Sequence, residues 1–276
     1  MDGIRFIPNH GSMNNVRILR MSFSTIDEYL HCLDVFPSAS EVEFDFSGDF
    51  HLQPSARQSM RILSSVMALT LRVLRWGDEP QSLGKFLALL QVPNMKELYL
   101  ALSHKSQEEW MHASEFIERS SPPLVSFKAY GNVVDNYFFQ CLRHLSHVQS
   151  LSTMMSMFEN EKLSLLIERP KLGQSYACPK LQEIHLEGLC PRLIQVPPEF
   201  AAFVLHRWYC SGTESDPPSR IYIVTLCTMF PKDSRPFQPF LDYPGVRQCM
   251  EDGLQVHLLD RYNRPIDIDS HDVNPD

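Results

Sequence analysis

Apolar residues recur along the chain in a short pattern whose first, fourth and sixth positions are hydrophobic. The clearest copy lies in the stretch CPKLQEIHLEGLCP, where Leu181, Ile184 and Leu186 take the apolar places. The end of each copy alternates between apolar and polar residues, which is typical of a β-strand with one buried face. The third copy is placed at Leu71, Leu74 and Trp76, and the others begin at Val16, Ala39, Met95, Leu124, Val148 and Ile221.

Segments with helical spacing of apolar residues lie between these copies. They cover residues 26–36, 54–69, 82–90, 106–119, 135–145, 160–167 and 198–208. A strand followed by a helix, returning at intervals of about 20–29 residues with occasional insertions, is the signature of leucine-rich repeats. We therefore predict an α/β fold of the irregular leucine-rich-repeat solenoid type, horseshoe-like, with a parallel sheet on the concave side and helices on the convex side.

The pattern also suggests how the chain is organised. Residues 1–15 are expected to be an N-terminal extension, residues 16–259 a repeat-like domain with a C-terminal cap, and residues 260–276 a polar, frayed tail. Within the cap, the Pro-rich and aromatic residues 229–243 indicate a surface loop. Residues 245–252 predict a helix ended by Gly253, and residues 254–259 predict a last strand.

Composition narrows the class of partner. The formal net charge is −8 and clustered Lys and Arg residues are missing, which argues against nucleic acid. The seven cysteines are an odd number without a C-x-x-C pair, and no secretion signal opens the chain. We therefore expect an intracellular protein of the cytoplasm or nucleus. No apolar run approaches the roughly 18 residues that cross a bilayer, so no membrane partner is expected.

Motifs for catalysis or cofactor binding are missing from the sequence. It contains no G-x-S-x-G, no phosphate-binding glycine loop and no H-E-x-x-H. Cys178, His185 and Cys190 are close in sequence, but the two cysteines bracket a strand and would lie about 20 Å or more apart, too far for one zinc ion. We therefore predict no enzymatic activity, no cofactor and no metal site.

The polar positions of the strands define the candidate binding surface, on the concave face. They are Arg20, Glu41, Glu43, Asp45, Arg75, Glu97, Tyr99, Lys128, Tyr130, Glu183, His185 and Glu187. Six of these are carboxylates and three are Lys or Arg, which favours a protein partner with a basic segment. Tyr99 and Tyr130 would be the aromatic anchors of this surface. The alternative is a solvated sheet face with ordinary charges. Trp76, Trp110 and Trp208 are expected to pack in the core rather than to stack on bases.

Two stretches near the C-terminus carry a resemblance. The CPKLQEIHLEGLCP strand is followed by PEFAAFVLHRW, with Phe203, Arg207 and Trp208, and then by a strand over residues 221–226 and the ending GVRQCMEDGLQV. This arrangement resembles the leucine-rich-repeat region of fungal F-box-like proteins, over about residues 94–256.

The resemblance implies that the repeats recruit the substrate of a ubiquitin ligase. In that family an N-terminal F-box binds a Skp-type adaptor, but residues before Val16 are too few for an F-box. The adaptor is therefore expected as a partner only if an F-box exists outside this chain. The alternative function is a stand-alone repeat scaffold or inhibitor with no ubiquitin link.

Overall fold

Eleven strands form two sheets in the described part of the chain. The computed structural model describes residues 15–23, 25–46, 59–73, 81–102, 107–131, 136–155, 166, 176–189, 196–210, 218–229 and 235–266. The strands are β1 Ile18–Phe23, β2 Glu41–Phe46, β3 Arg61–Ile62, β4 Ala68–Val73, β5 Leu90–Gln91, β6 Glu97–Ala101, β7 Ser126–Tyr130, β8 Ser150–Met154, β9 Glu183–Leu189, β10 Ile223–Thr228 and β11 Gln255–Leu259.

Nine of these strands make one parallel sheet in which the strands follow one another in chain order, from β1 to β11. The short strands β3 and β5 pair separately. The outermost strands β1 and β11 do not pair with each other, so the sheet is open rather than a closed barrel. The prediction of an α/β fold with a parallel sheet is thus confirmed.

Helices connect most successive strands. They are α1 Ile26–Val35, α2 Gln81–Ala88, α3 Gln107–Ser120, α4 Asn136–His144, α5 Pro198–Cys210, α6 Gln238–Leu241 and α7 Val246–Glu251, with a 3-10 turn at Arg235–Phe237. Thr25 caps α1 through a capping box with Glu28, in which each side chain binds the other residue's backbone N–H. The predicted helices over residues 26–36, 82–90 and 198–208 are confirmed to within two residues at their ends. Those over residues 106–119 and 135–145 are confirmed over their described parts. Of residues 160–167, only Leu166 is described.

The register of the sheet explains its core. Val42, Leu69 and Leu98 are direct neighbours on adjacent strands, so the apolar positions of each strand form continuous rows on one face. Helices pack on this face: the Tyr29 ring of α1 lies 4.6 Å from the Phe44 ring, and the Phe138 ring of α4 stacks 6.5 Å from the Phe127 ring. Alternation therefore buries one face of the sheet and leaves the other polar.

Helices α2 and α3 approach each other closely because Gly84 has no side chain. A Cβ atom at this position would lie 2.0 Å from Cδ2 of His112 on α3. Only glycine allows the His112 ring to lie against the backbone of α2 in this arrangement. The contact fixes the spacing of these two helices on the buried side of the sheet.

The structure corrects the predicted position of the third copy of the pattern. The copy predicted from Leu71 instead begins at Val66, five positions earlier. Val66 lies just before β4, and Leu69 and Leu71 are the residues of β4 that are buried in the core. The predicted helix over residues 54–69 is wrong where the structure describes it, since residues 59–69 hold β3, a turn and the start of β4. Pairing on both sides of β4 outweighs the local helical spacing of apolar residues. Residues 54–58, Leu74 and Trp76 lie outside the described residues.

The C-terminal segment departs from the predicted surface loop. Residues 235–241 are short helical turns in which Phe237 and Phe240 are fully buried, because aromatic residues there fill the end of the core. The predicted helix over residues 245–252 and the last strand are confirmed, and Gly253 has the positive φ expected after a helix. Residues 260–266 fold back on β11, with the Ile266 N–H bonded to the Leu258 carbonyl, so this part of the polar tail is not frayed.

Candidate functional site

The candidate site is the sheet face opposite the helices, called here the polar face. Its side chains align in three rows, because the parallel strands are in register. The first row holds Ile18, Glu41, Ala68, Glu97, Ser126, Ser150 and Glu183; the middle row holds Arg20, Glu43, Thr70, Tyr99, Lys128, Ser152 and His185; the third holds Ser22, Asp45, Arg72, Ala101, Tyr130, Met154 and Glu187.

The polar face brings together every predicted binding residue except Arg75, which lies outside the described residues. Sequence reasoning missed all three residues that β4 contributes to this face, namely Ala68, Thr70 and Arg72. It missed them because the strand was placed five residues too late. The sequence does contain a signal for the correct position, because Val66, Leu69 and Leu71 also fit the pattern. A copy that begins at Val66 lies 27 residues after the copy at Ala39 and 29 residues before the copy at Met95, and both intervals fit the repeat period.

Arg72 is the centre of an ion-pair network at the β1–β4 end. Its guanidinium donates from Nε to Asp45 at 2.7 Å and also donates to Glu43. Glu43 in turn lies 2.9 Å from Nε of Arg20. The hydrogen bond to Asp45 raises the pKa of Arg72, burial lowers it by less, and the charges of Asp45 and Glu43 raise it further. Both carboxylates are thus already neutralised within the chain.

A second cluster surrounds Tyr130. Its ring lies 5.2 Å from that of Tyr99, and its hydroxyl donates to Oε1 of Glu187 at 2.7 Å and lies 2.8 Å from Oγ of Ser152. Burial is the main cause that raises the pKa of both phenols, and the Glu187 carboxylate adds to it. Both phenols are therefore neutral hydrogen-bonding groups at ordinary pH.

The Glu187 carboxylate is shared by several groups. Nε2 of His185 lies 3.3 Å from Oε1, which allows an ion pair when the imidazole is protonated, although the two do not form an aligned hydrogen bond. Burial raises the pKa of Glu187, but the contacts with His185 and Tyr130 lower it by more, so the net pKa is below the ordinary value. Glu187 therefore holds the two neighbouring side chains in place as an anion.

A groove runs across the first and middle rows between β1 and β7. Two hollows of about 120 and about 190 Å³ make it up, and they share Ala68, Thr70 and Glu97 among their lining residues. We call it the Ala68 groove, because the methyl side chain of Ala68 leaves space between longer neighbours. Its lining also includes Arg20, Glu41, Glu43, Tyr99, Ser126 and Lys128.

Two buried cysteines, Cys141 and Cys178, are poor nucleophiles and poor ligands. Burial raises the pKa of Cys141 and of Cys178 to about 12, so both thiols are protonated at neutral pH. Within the described ranges, no three His, Cys, Asp or Glu side chains are grouped as a metal site requires. Cys190, one member of the weak candidate set, lies outside those ranges.

The residues that carry the family resemblance lie in α5 and have a structural role here. Arg207 is fully buried, and its guanidinium donates to the carbonyls of Ala177 at 2.5 Å and Cys178 at 3.3 Å. Burial lowers the pKa of Arg207 to about 10. The arginine therefore orders the loop that leads into β9. Trp208 is buried, as is Trp110, which confirms the predicted core packing of both.

A comparison of the chain with models of protein families found no match, and neither did a comparison with curated proteins. Among the described residues, every helix is too short or too polar to cross a membrane. Trp76, the third tryptophan considered for stacking, lies outside the described residues. The polar face therefore carries the functional argument by its own chemistry.

Proposed function

We propose that this chain recognises another protein through the polar face and has no enzymatic activity. The observation that carries the proposal is a nine-stranded parallel sheet whose polar face is not covered by any helix of the described residues. Parallel sheets are usually covered on both faces, yet in the described part of the chain the helices pack on the apolar face only. We therefore expect this wide exposed face to bind other molecules.

The chemistry of the polar face favours a protein over other ligands. Tyr99 and Tyr130 form a paired aromatic surface with neutral hydroxyl groups, and tyrosine is enriched where interfaces concentrate their binding energy. Glu41, Glu97 and Glu183 add negative charge along the first row. This favours a partner with a basic segment and disfavours phosphate backbones.

Within this proposal, the strand–helix units are leucine-rich repeats, and the chain is the substrate-binding part of an F-box-like receptor. Support for the repeats comes from the chain-order sheet and the one-sided helices. Support for the receptor is the resemblance at Phe203, Arg207 and Trp208, where Arg207 stabilises the loop before β9. The second candidate is a stand-alone scaffold or inhibitor, and the same polar face would serve it.

Quantitative affinity capture tests the recognition proposal. The bait is the chain itself, compared with a Glu41→Lys/Glu97→Lys variant and with a control variant, Glu118→Lys/Glu251→Lys, whose substitutions lie on exposed helix positions. Proteins retained by the wild type and the control should be lost from the polar-face variant, with a slower, less salt-dependent association. Equal capture by all three baits would contradict recognition through the polar face.

Binding of a purified Skp-type adaptor separates the two candidate functions. The assay uses the longest chain that the gene encodes, including any segment upstream of Met1. Adaptor binding would favour the F-box-like receptor. Capture of a partner without adaptor binding would favour the stand-alone scaffold or inhibitor.

A further inference from the structure

The carboxylates of the polar face fall into two classes. Glu43 and Asp45 are bound by Arg72, and Glu187 is bound by Tyr130. By contrast, Glu41 and Glu97 are exposed and make no ion pair with another described residue. The negative charge available to a ligand therefore lies in the first row, which also includes the exposed Glu183, and two of its carboxylates line the Ala68 groove.

The geometry of the groove suits one cationic side chain. Glu41 and Glu97 lie in register with Ala68 on the strands to either side of it. Because neighbouring strands are about 4.8 Å apart, the backbones of the two glutamates are separated by about 10 Å across the groove. A guanidinium group is planar and can donate hydrogen bonds from opposite edges, so it can reach both carboxylates at once.

The bases at the two ends of the groove restrict the ligand further. Arg20 is paired with Glu43 at the β1 end, whereas Lys128 lines the β7 end beside Tyr99. A second cation next to the first would approach the Lys128 ammonium and be repelled. Thr70, on the floor beside Ala68, has a hydroxyl group that can accept or donate one more hydrogen bond.

We propose that the Ala68 groove binds a single arginine side chain of the partner between Glu41 and Glu97, and that Lys128 disfavours an adjacent second basic residue. The proposal rests on the function proposed above and deepens it, since it names the recognised group and its position. It distinguishes a partner segment with an isolated arginine from a polybasic tract.

Amide chemical shifts measured by NMR test this proposal with defined probes. The probe is the blocked tripeptide Ac-Gly-Arg-Gly-NH₂, and the matched control is the same peptide with neutral citrulline. Titration with the arginine peptide should shift the amides of Ala68, Thr70 and Glu97 saturably, while the citrulline peptide should not. Glu41→Gln and Glu97→Gln should each weaken binding by about three- to fivefold, and Glu183→Gln, in the same row but outside the groove, should leave it unchanged.

Two further comparisons sharpen the test. Ala68→Leu should abolish the shifts by filling the groove, and Lys128→Gln should strengthen binding of Ac-Arg-Arg-Gly-NH₂ more than that of the single-arginine peptide. Shifts that do not saturate, equal binding of the citrulline peptide, or unchanged affinity in both glutamine variants would overturn the proposal. If affinity capture still depends on the polar face in that event, only the assignment of the groove fails and the proposed function stands.

Discussion

The contact between Gly84 and His112 allows a quantitative prediction, because one added methyl group has two opposing effects on stability: it clashes with His112, and it favours the helix. In Gly84→Ala, the added methyl carbon would start 2.0 Å from Cδ2 and 2.6 Å from Cγ of His112. Ordinary contact begins near 3.4 Å, so the ring or the helix must move by more than an ångström. Overpacking of this kind costs about 1–3 kcal/mol, while replacing glycine by alanine in a helix contributes about 1 kcal/mol in the opposite direction.

The net expectation is a loss of about 1 kcal/mol in the wild-type background. In a His112→Ala background the ring is gone, so the same Gly84→Ala change should increase the free energy of unfolding by up to about 1 kcal/mol. Urea unfolding of the four proteins of this cycle gives the coupling, which should be about 2 kcal/mol. Equal effects of Gly84→Ala in both backgrounds would refute the close packing of α2 on α3.

Three further predictions concern other parts of the fold. Arg207→Met should lower the free energy of unfolding by about 2 kcal/mol in urea titrations, because two loop carbonyls lose their donor. Arg247→Met, at an exposed position of α7, should change it little; equal losses would contradict this. Glu187→Gln should lower the free energy of unfolding by less than about 1 kcal/mol at neutral pH. This loss should disappear as pH falls through the depressed pKa of Glu187, because the wild-type carboxylate is then protonated; a pH-independent loss would contradict this. Asp260→Asn should speed hydrogen exchange at the Ile266 amide, because Asp260 holds the turn that covers β11; unchanged exchange would show that the turn holds without this carboxylate.

The sequence predicts the sheet well because its signal is local and repeated. At Leu98, Phe127 and Ile184 the alternation of apolar and polar residues marks the buried face, and parallel pairing follows from the helices between the strands. It fails at residues 59–69, where helical spacing and strand spacing fit the same residues. There the choice depends on pairing with both neighbouring strands, which a single segment does not contain.

The sequence likewise predicts the candidate site only in part. Strand alternation identifies Tyr99, Tyr130 and the carboxylates as members of one face. It does not reveal that Arg72 neutralises two of those carboxylates, because Arg72 lies 27 residues after Asp45 and 29 residues after Glu43 in the sequence. The distinction between paired and available charges, on which the Ala68 groove depends, appears only in three dimensions.

Recognition through the polar face is tested most directly by site-specific photo-crosslinking. A benzophenone amino acid replaces Tyr99 at the centre of the polar face or, as a control, Lys85 at an exposed position of α2 on the helical side. Irradiation in extract followed by mass spectrometry should give a discrete crosslinked protein from position 99 that unlabelled wild-type chain competes away. Crosslinks of the same protein from position 85 instead, with none from position 99, would contradict it.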